Sequence, residues 1–495
     1  MTQLIRAAYA LAHDGRQIVM LRDVAVAVEG PIVVAVAAGN GGRVLLDESP
    51  DAEIIDLGNS LLMPGLIDLD ALGDIDHLNL DSWWTPDHEA RLNWSSAYAA
   101  GGAREVLTAD ERSVLRRYSL VQLILHGITS AMPIATEVHG AWAETHDDLL
   151  DVARTASELG LRTFLGPSYR SAVHTTGSDG SAEMHEDEAR GWDGFREAVR
   201  FLDTAAALQD PLVSGILAPC RVETVAEDVL RATAKESARR GVLVRAHATQ
   251  ELSERAIIRE KHDATPLELL ERVGLLNERL VLAHGVYLDV HPDVLGRDTG
   301  EIARLAAAGV SIVHCPLTNA RYAFLLERIS QYLDQGVNIA LGTDSFPPDL
   351  IRAIDTGVQT AKAQHRDLSM GYLAQYVEAA TMGGAKALHR ADLGRIAHGA
   401  TADLVAFSLD DFRGGVIDDP MRTLVLSGTA RDAHFSMING RVVMRDGVIP
   451  GVDLPSLAAA GQRIFDKLRA AYAERDALGG RETDLFPPLF PPGEQ

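Results

Sequence analysis

The chain has 495 residues, 46% hydrophobic and 23% charged, the composition of a globular enzyme and not of a disordered or fibrous chain. Its formal charge of −24, from 46 basic and 70 acidic residues, argues against nucleic acid or an anionic membrane as the main partner and is read as solubility. Only two cysteines occur, Cys220 and Cys315, so no disulfide framework is implied. The N-terminus (MTQLIRAAYALAHDGRQ) has no apolar stretch of signal or membrane-spanning type, and a soluble cytoplasmic protein is expected.

In chain order, residues 1 to about 60 read as β, rich in Val, Ile and Ala and punctuated by Gly30-Pro31. From about residue 66 to 380, strand-like runs alternate with amphipathic stretches, the βα signature of a parallel sheet or barrel. The strand candidates are LLMPGLIDLDAL, GITSAMPI, LRTFLGPSY, LVSGILAPCRV, GVLVRAH, RLVLAHG, GVSIVHCP and NIALGTDS. Eight such runs match a (β/α)8 TIM barrel. Between them, AEDVLRATAKESARRG stops at Gly241 and TGEIARLAAAGV at Gly309, where a helix C-cap is expected. After GYLAQYVEAATMGGAKALHR the chain returns to β at ADLVAFSLDDF and HFSMINGRVVMRDGVI. The fold expected is α/β. A barrel over 63–394 is joined by a composite β-sandwich domain from 1–62 and 395–450, and 451–495 form a helix and a Pro-rich tail. The end FPPLFPPGEQ reads as an extended strap rather than a recognition ligand.

Three of the apolar runs end in residues able to bind a metal: GVLVRAH in His247, RLVLAH in His284 and GVNIALGTD in Asp344. Active sites of barrels lie at the C-terminal ends of the strands, so these side chains are expected to converge. Imidazole and carboxylate suit Zn²⁺ and other divalent first-row ions, and such an ion lowers the pKa of bound water to about 7. One histidine alone would be read as a satisfied core residue. Three groups at corresponding strand ends favour a site.

HLNLDSWWTPDHEARLNWSSAYAAGG holds Trp83, Trp84, Trp94 and Tyr98, three of the five tryptophans of the chain. An aromatic lid for a planar ligand is expected there, with a subunit interface as the bland alternative. SYRSAVHTTGSDG offers Tyr169, Arg170 and His174 for contacts, or is a plain loop. Cys315, before Pro316, reads as packing rather than a nucleophile, because no dedicated base is identifiable. No glycine-rich phosphate loop, serine elbow or CxxC pair occurs.

The order of motifs resembles the amidohydrolase superfamily, in the branch of cytosine and guanine deaminases and triazine chlorohydrolases. The carrying segments are MPGLIDLD (63–70), GITSAM (127–132), AHATQ (246–250), AHGVYLD (283–289), HCPLTNARY (314–322) and LGTDS (341–345). EAATMGGAKALH and GRIAHGATADLVAF resemble the exit from the barrel into the small β domain. By that resemblance His247 and Asp344 bind the metal, and Asp344 also shuttles protons. His284 binds the metal or polarises the substrate. Asn319 and Arg321 are substrate contacts, with a turn-fixing role weighed evenly for Asn319. The metal implied is divalent, zinc first with iron or manganese as alternatives. Relatives imply a homo-oligomer, dimer or tetramer.

Two departures stand against this pattern. The first strand of the family usually ends in His-x-His, and here the triplet is Asp70-Ala71-Leu72. Asp70 remains as a carboxylate ligand and His77 is the candidate replacement, with Asp74 and Asp76 nearby. The fifth-strand histidine is normally followed at +3 by a proton-moving glutamate, and here stands Gln250, which does not titrate and orients substrate by hydrogen bonds. The function expected is metal-dependent hydrolysis of a C–N or C–halogen bond on a small planar nitrogen compound, with Asp344, His284 and Gln250 as the catalytic set. The metal set is His247, Asp344, His284, Asp70 and His77, and the substrate contacts are Trp83, Trp84, Asn319, Arg321 and Tyr169. The alternative is a non-hydrolytic, metal-independent descendant, a lyase, isomerase or small-molecule binding protein.

Overall fold

Two four-stranded parallel sheets position the site. In the computed structural model, which describes residues 2–75, 91, 93–135, 140–296, 298–369, 372–490 and 493, the first sheet is built from β1 (Leu66–Leu72), β2 (Ile128–Ile134), β3 (Arg162–Leu165) and β4 (Val213–Gly215). They pair in sequence order. The second holds β5 (Val244–Ala248), β6 (Leu280–His284), β7 (Ser311–His314) and β8 (Asn338–Leu341), again in order. Beyond β4, single bridges Leu217↔Val244 and Arg221↔His247 join the first sheet to β5. Beyond β8, the Asp344 amide donates to the Asp70 carbonyl at 2.7 Å, which joins the second sheet to β1. The result is a TIM-barrel-type α/β arrangement. Every residue of β1, β2, β5 and β6 is buried, as expected where neighbouring strands and outer helices cover both faces.

The helices between the strands follow the sequence signals. Glu227–Arg240 and Glu301–Ala308 end at Gly241 and Gly309, both left-handed. The third and fourth strands differ from expectation. Each was expected unbroken, yet each stops and resumes as a short pairing of Ser168–Tyr169 with Ala218–Pro219. Pro167 has no N–H for the ladder. Gly166 lies so close to the Ile216 carbonyl that an added Cβ would sit 2.2 Å from its oxygen. SYRSAVHTTGSDG, read as contacts or a plain loop, forms a hairpin of Ala172–Thr176 with Ala182–Glu186, paired in parallel with Trp94–Ser95.

Strands from both ends of the chain form one sheet. Thr2–His13 lies beside Ile18–Glu29 and Ser60–Pro64, and the latter pairs with Leu404–Ser408, followed by Ala433–Ile438 and Arg441–Arg445. The sheet curls: Val33 N donates to Ala400 O (2.9 Å) and Ala402 N to Pro31 O (2.7 Å). Residues Asn40–Asp47, read as part of a β region, are helical, because so short an apolar spacing does not separate helix from strand. The C-terminal helix Leu454–Arg475 packs Ile464 and Leu468 near Leu115 of the helix Ala109–Leu125. No helix among the described residues is long and apolar enough to cross a membrane.

Candidate metal centre and active site

Three strands deliver three buried donors to one point. One ligand atom each from Asp70 (β1), His247 (β5) and His284 (β6) lie within 4.8 Å of one another. His247 Nε2 is 3.5 Å from Asp70 Oδ1, and His284 Nε2 is 3.8 Å from Asp70 Oδ2. Asp344 follows β8, with Oδ2 3.9 Å from His284 Nε2. Its side chain is 20% exposed, whereas those of Asp70 and His284 are fully buried, so Asp344 faces the mouth.

Local backbone explains how the groups arrive. Asp68 sits two residues before Asp70 and accepts the Asp70 amide on Oδ1 at 3.2 Å. Its carboxylate accepts the Thr343 amide (3.0 Å) and hydroxyl (2.6 Å), which ties β1 to the loop after β8. Burial, only partly offset by those bonds, raises the Asp68 pKa to about 6. His284 and Asp344 both take positive φ (69° and 40°), a region that non-glycine residues enter at a cost and that clusters at functional sites. The Thr318 hydroxyl shares its proton between the carbonyls of Thr343 (2.9 Å) and Asp344 (2.6 Å) and holds that turn.

The donor chemistry fits a cation. His247 Nδ1 lies 3.0 Å from the Cys220 carbonyl, an acceptor, so Nδ1 donates there and Nε2 is the ring nitrogen turned toward the Asp70 carboxylate, 3.5 Å away. Asp70 Oδ1 and both ring nitrogens of His284 are buried without a hydrogen bond of normal geometry. Unpaired buried polar atoms of this kind call for a partner. Burial pulls the His284 pKa down to about 3, which keeps the ring neutral and able to ligate. For Asp70, burial works upward, but His247, then His284 and Arg245, outweigh it and hold the carboxyl well below its ordinary range. Burial and the Asp70 charge push the Cys315 thiol far up, so it stays an S–H donor, 3.6 Å from Asp70 Oδ2.

The profile of the amidohydrolase family matches residues 61–443, more than half of the chain. The chain belongs to the amidohydrolase family. It is 30% identical over 307 residues to a 5-methylthioadenosine/S-adenosylhomocysteine deaminase of Pyrococcus abyssi, covering 61% of this chain and 67% of that protein. It is 28% identical over 447 residues to an 8-oxoguanine deaminase of Pseudomonas aeruginosa, covering 87% and 91%. Among solved structures, an atrazine chlorohydrolase of Arthrobacter aurescens TC1 complexed with zinc superposes with a TM-score of 0.74, at 22% identity and with 93% and 99% of the two chains covered.

This amidohydrolase brings four of the expected residues together, Asp70, His247, His284 and Asp344. Gln250 stands beside them at the end of β5, where its Oε1 accepts from the Arg221 guanidinium. Asn319 lies on the short helix Pro316–Arg321, wholly buried. Its contact favours the charged form of His284, yet neither amide atom makes a hydrogen bond of normal geometry. Arg321 ends the same helix, half-buried. His77, Trp83, Trp84 and Asp76 lie outside the described residues. Tyr169 corrects an expectation: it was assigned to substrate, yet it is fully buried in the core and its hydroxyl lies 2.6 Å from that of Thr233 on the outer helix Glu227–Arg240. The break at Gly166-Pro167 resets the alternation of side chains in that strand.

The sequence reading missed Arg221, which pairs with Glu251 at 2.9 Å and lies 3.5 Å from Glu223. Those carboxylates outweigh the effect of burial and raise its pKa, so it is permanently cationic. Glu223 also meets His174 Nε2 at 3.0 Å, which fastens the hairpin to the rim of the barrel. Glu254 accepts the backbone amides of Thr249 (2.7 Å) and Gln250 (3.0 Å) beneath this group. No motif marks these residues, because the contacts join separate strand ends. The one available signal was the basic Arg221 between the apolar run ILAPC and the acidic Glu223.

Proposed function

We propose that this amidohydrolase is a metal-dependent hydrolase that breaks a C–N or C–halogen bond of a small planar nitrogen compound. The observation that carries the reading is the buried Asp70–His247–His284 group, with one ligand atom from each residue within 4.8 Å of the others. These three residues would hold a divalent ion, zinc first by the zinc-bound neighbour, with Asp344 beside them. An ion held there supplies a Lewis acid able to activate water at neutral pH.

The residues of the chain divide the remaining work. Asp344, the partly exposed carboxylate of the group, takes a proton from water and passes it to the leaving nitrogen or its ring. His284, neutral and dry, serves as a ligand rather than an acid. Gln250 has its carbonyl oxygen committed to Arg221, which leaves the amide N–H groups to donate to a ring nitrogen or oxo group of the substrate. Asn319, with both amide atoms unmatched, offers a second polar contact from below. Arg321 and an aromatic lid from Trp83 and Trp84 complete the reading on sequence grounds.

The same reading takes the two parallel sheets as one closed (β/α)8 barrel over 63–394. The curled sheet from 1–62 and 395–450 is its composite β-sandwich, and 451–495 are a C-terminal appendage. It assigns the protein to the cytoplasm as a homo-oligomer, dimer or tetramer.

The test is ammonia or halide release by metal-reconstituted protein from a panel of purines and triazines that includes 8-oxoguanine, 5-methylthioadenosine and chlorinated aminotriazines. Turnover of at least one class is expected, and Asp344→Asn should lower kcat by about 100- to 10,000-fold. No release from any class by metal-replete protein would leave the non-hydrolytic alternative in its place. Unchanged kcat in the variant would remove Asp344 from the mechanism.

A further inference from the structure

Asp70 presents one engaged oxygen and one open one. Oδ2 receives the Cys315 thiol at 3.6 Å, whereas Oδ1 is buried without a hydrogen bond and lies 3.5 Å from His247 Nε2. An outer donor on one oxygen orients the carboxylate and leaves the other for a single bond to an ion. Two positions on, where a second ligand of the first strand would stand, the apolar side chain of Leu72 offers none and is buried. His77, the other candidate, lies outside the described residues, and among those residues the donor set is Asp70, His247 and His284, with Asp344 next to His284.

That set differs in charge and hardness from one built mainly of imidazoles. Two carboxylates compensate the double charge of the ion, and this matters where Asp70 and His284 are wholly buried and water does not screen. Oxygen donors suit Mn²⁺ and Fe²⁺, whereas imidazole nitrogen favours the later metals; Zn²⁺ keeps the higher absolute affinity, and the ligand type sets the margin. We infer that Asp70 is the residue that sets metal choice in this chain: by placing a carboxylate in the centre, it narrows the preference for Zn²⁺ over Mn²⁺ and Fe²⁺ relative to a histidine at the same position.

The inference rests on the metal centre proposed above, though not on hydrolysis, and its readout is bound metal. The 495-residue chain, stripped by a chelator, is dialysed to equilibrium against equal concentrations of Zn²⁺ and Mn²⁺. Bound ions are counted by mass spectrometry, and each ion is titrated alone against a chromophoric chelator. Asp70→His should widen the Zn²⁺/Mn²⁺ affinity ratio by about tenfold or more. Asp70→Asn, isosteric and uncharged, should weaken both ions by about tenfold or more with an unchanged circular-dichroism spectrum. A smaller change in the ratio for the first variant overturns the inference, as does a smaller loss of affinity for the second. If Asp70→His does not fold, the affinity ratio of Asp70→Asn decides alone: loss of the carboxylate charge should cost Mn²⁺ more than Zn²⁺, and an unchanged ratio overturns the inference. Wild-type protein that binds neither ion overturns this inference together with the hydrolase reading. Metal-binding results as expected, without turnover of any compound in the panel, leave it standing and remove the hydrolase reading only.

Discussion

Asp70 and Tyr169 show how a single position changes its meaning with the face it occupies. Asp70 lies in β1 where the pairing with β2 shifts register between Asp68 and Ala71, and its carboxylate reaches the histidines from β5 and β6. His247, His284 and Asp344 were legible because each ends an apolar run, and in a parallel barrel strand ends converge whatever their separation in sequence. Tyr169 lies beyond the Gly166-Pro167 interruption, and its alternation cannot be counted from the strand before it. Thr233 gives its own proton to the Val229 carbonyl (2.8 Å), so Tyr169 donates to Thr233 as part of the core. Tyr169→Phe should leave kcat and KM of any substrate unchanged while lowering stability by about 1 kcal/mol, measured by urea unfolding. A shift in KM with unchanged stability would restore Tyr169 to the site.

At the scale of elements, the segment joining β5 to the helix Leu252–His262 carries both Gln250 and a buried acid below it. Burial, reinforced by Glu223, raises the Glu254 pKa to about 8, against the pull of the backbone amides of Thr249 and Gln250. The folded protein therefore retains a proton that the unfolded chain releases near its ordinary pKa of about 4.5. The contribution is complete below that value and is lost as the pH rises through about 8. Wild-type stability should fall between pH 5 and pH 8 relative to Glu254→Gln, by at least about 1 kcal/mol in denaturant titrations at the two pH values. Parallel pH profiles for the two proteins would refute the assignment. This network was not legible in the sequence, because pairs such as Arg221–Gln250 and Arg221–Glu251 form only when separate strand ends meet. The helix stops at Gly241 and Gly309 were legible, because a left-handed C-cap is a local demand.

Over the whole molecule, one buried ion pair fastens the barrel to the sheet formed by the two ends of the chain. Arg162 on β3 donates to both oxygens of Asp403 (2.9 and 3.1 Å) and to the Pro211 carbonyl (2.9 Å), while Asp403 also accepts the Asn439 amide at 2.7 Å. Both side chains are almost wholly buried. Arg162→Met would strand the carboxylate and should reduce stability by about 3–5 kcal/mol in chemical denaturation, with most of the loss recovered in the double change Arg162→Met with Asp403→Leu. A single variant as stable as wild type would separate the two parts energetically. Motif order over roughly residues 50 to 450 leads to the expectation that both ends of the chain share one sheet, and GATADLVAF carries Asp403 next to Leu404, which pairs with Pro64 just before the first barrel strand.

The hydrolytic centre itself is tested most directly by anomalous diffraction at the absorption edge of the ion in crystals of the metal-loaded protein. The expected result is one strong peak bonded to Asp70 Oδ1, His247 Nε2 and His284 at about 2.0–2.2 Å, with Asp344 beside it. A fully metal-loaded crystal with its ion elsewhere, or with Asp70 turned away from it, would contradict the centre described here.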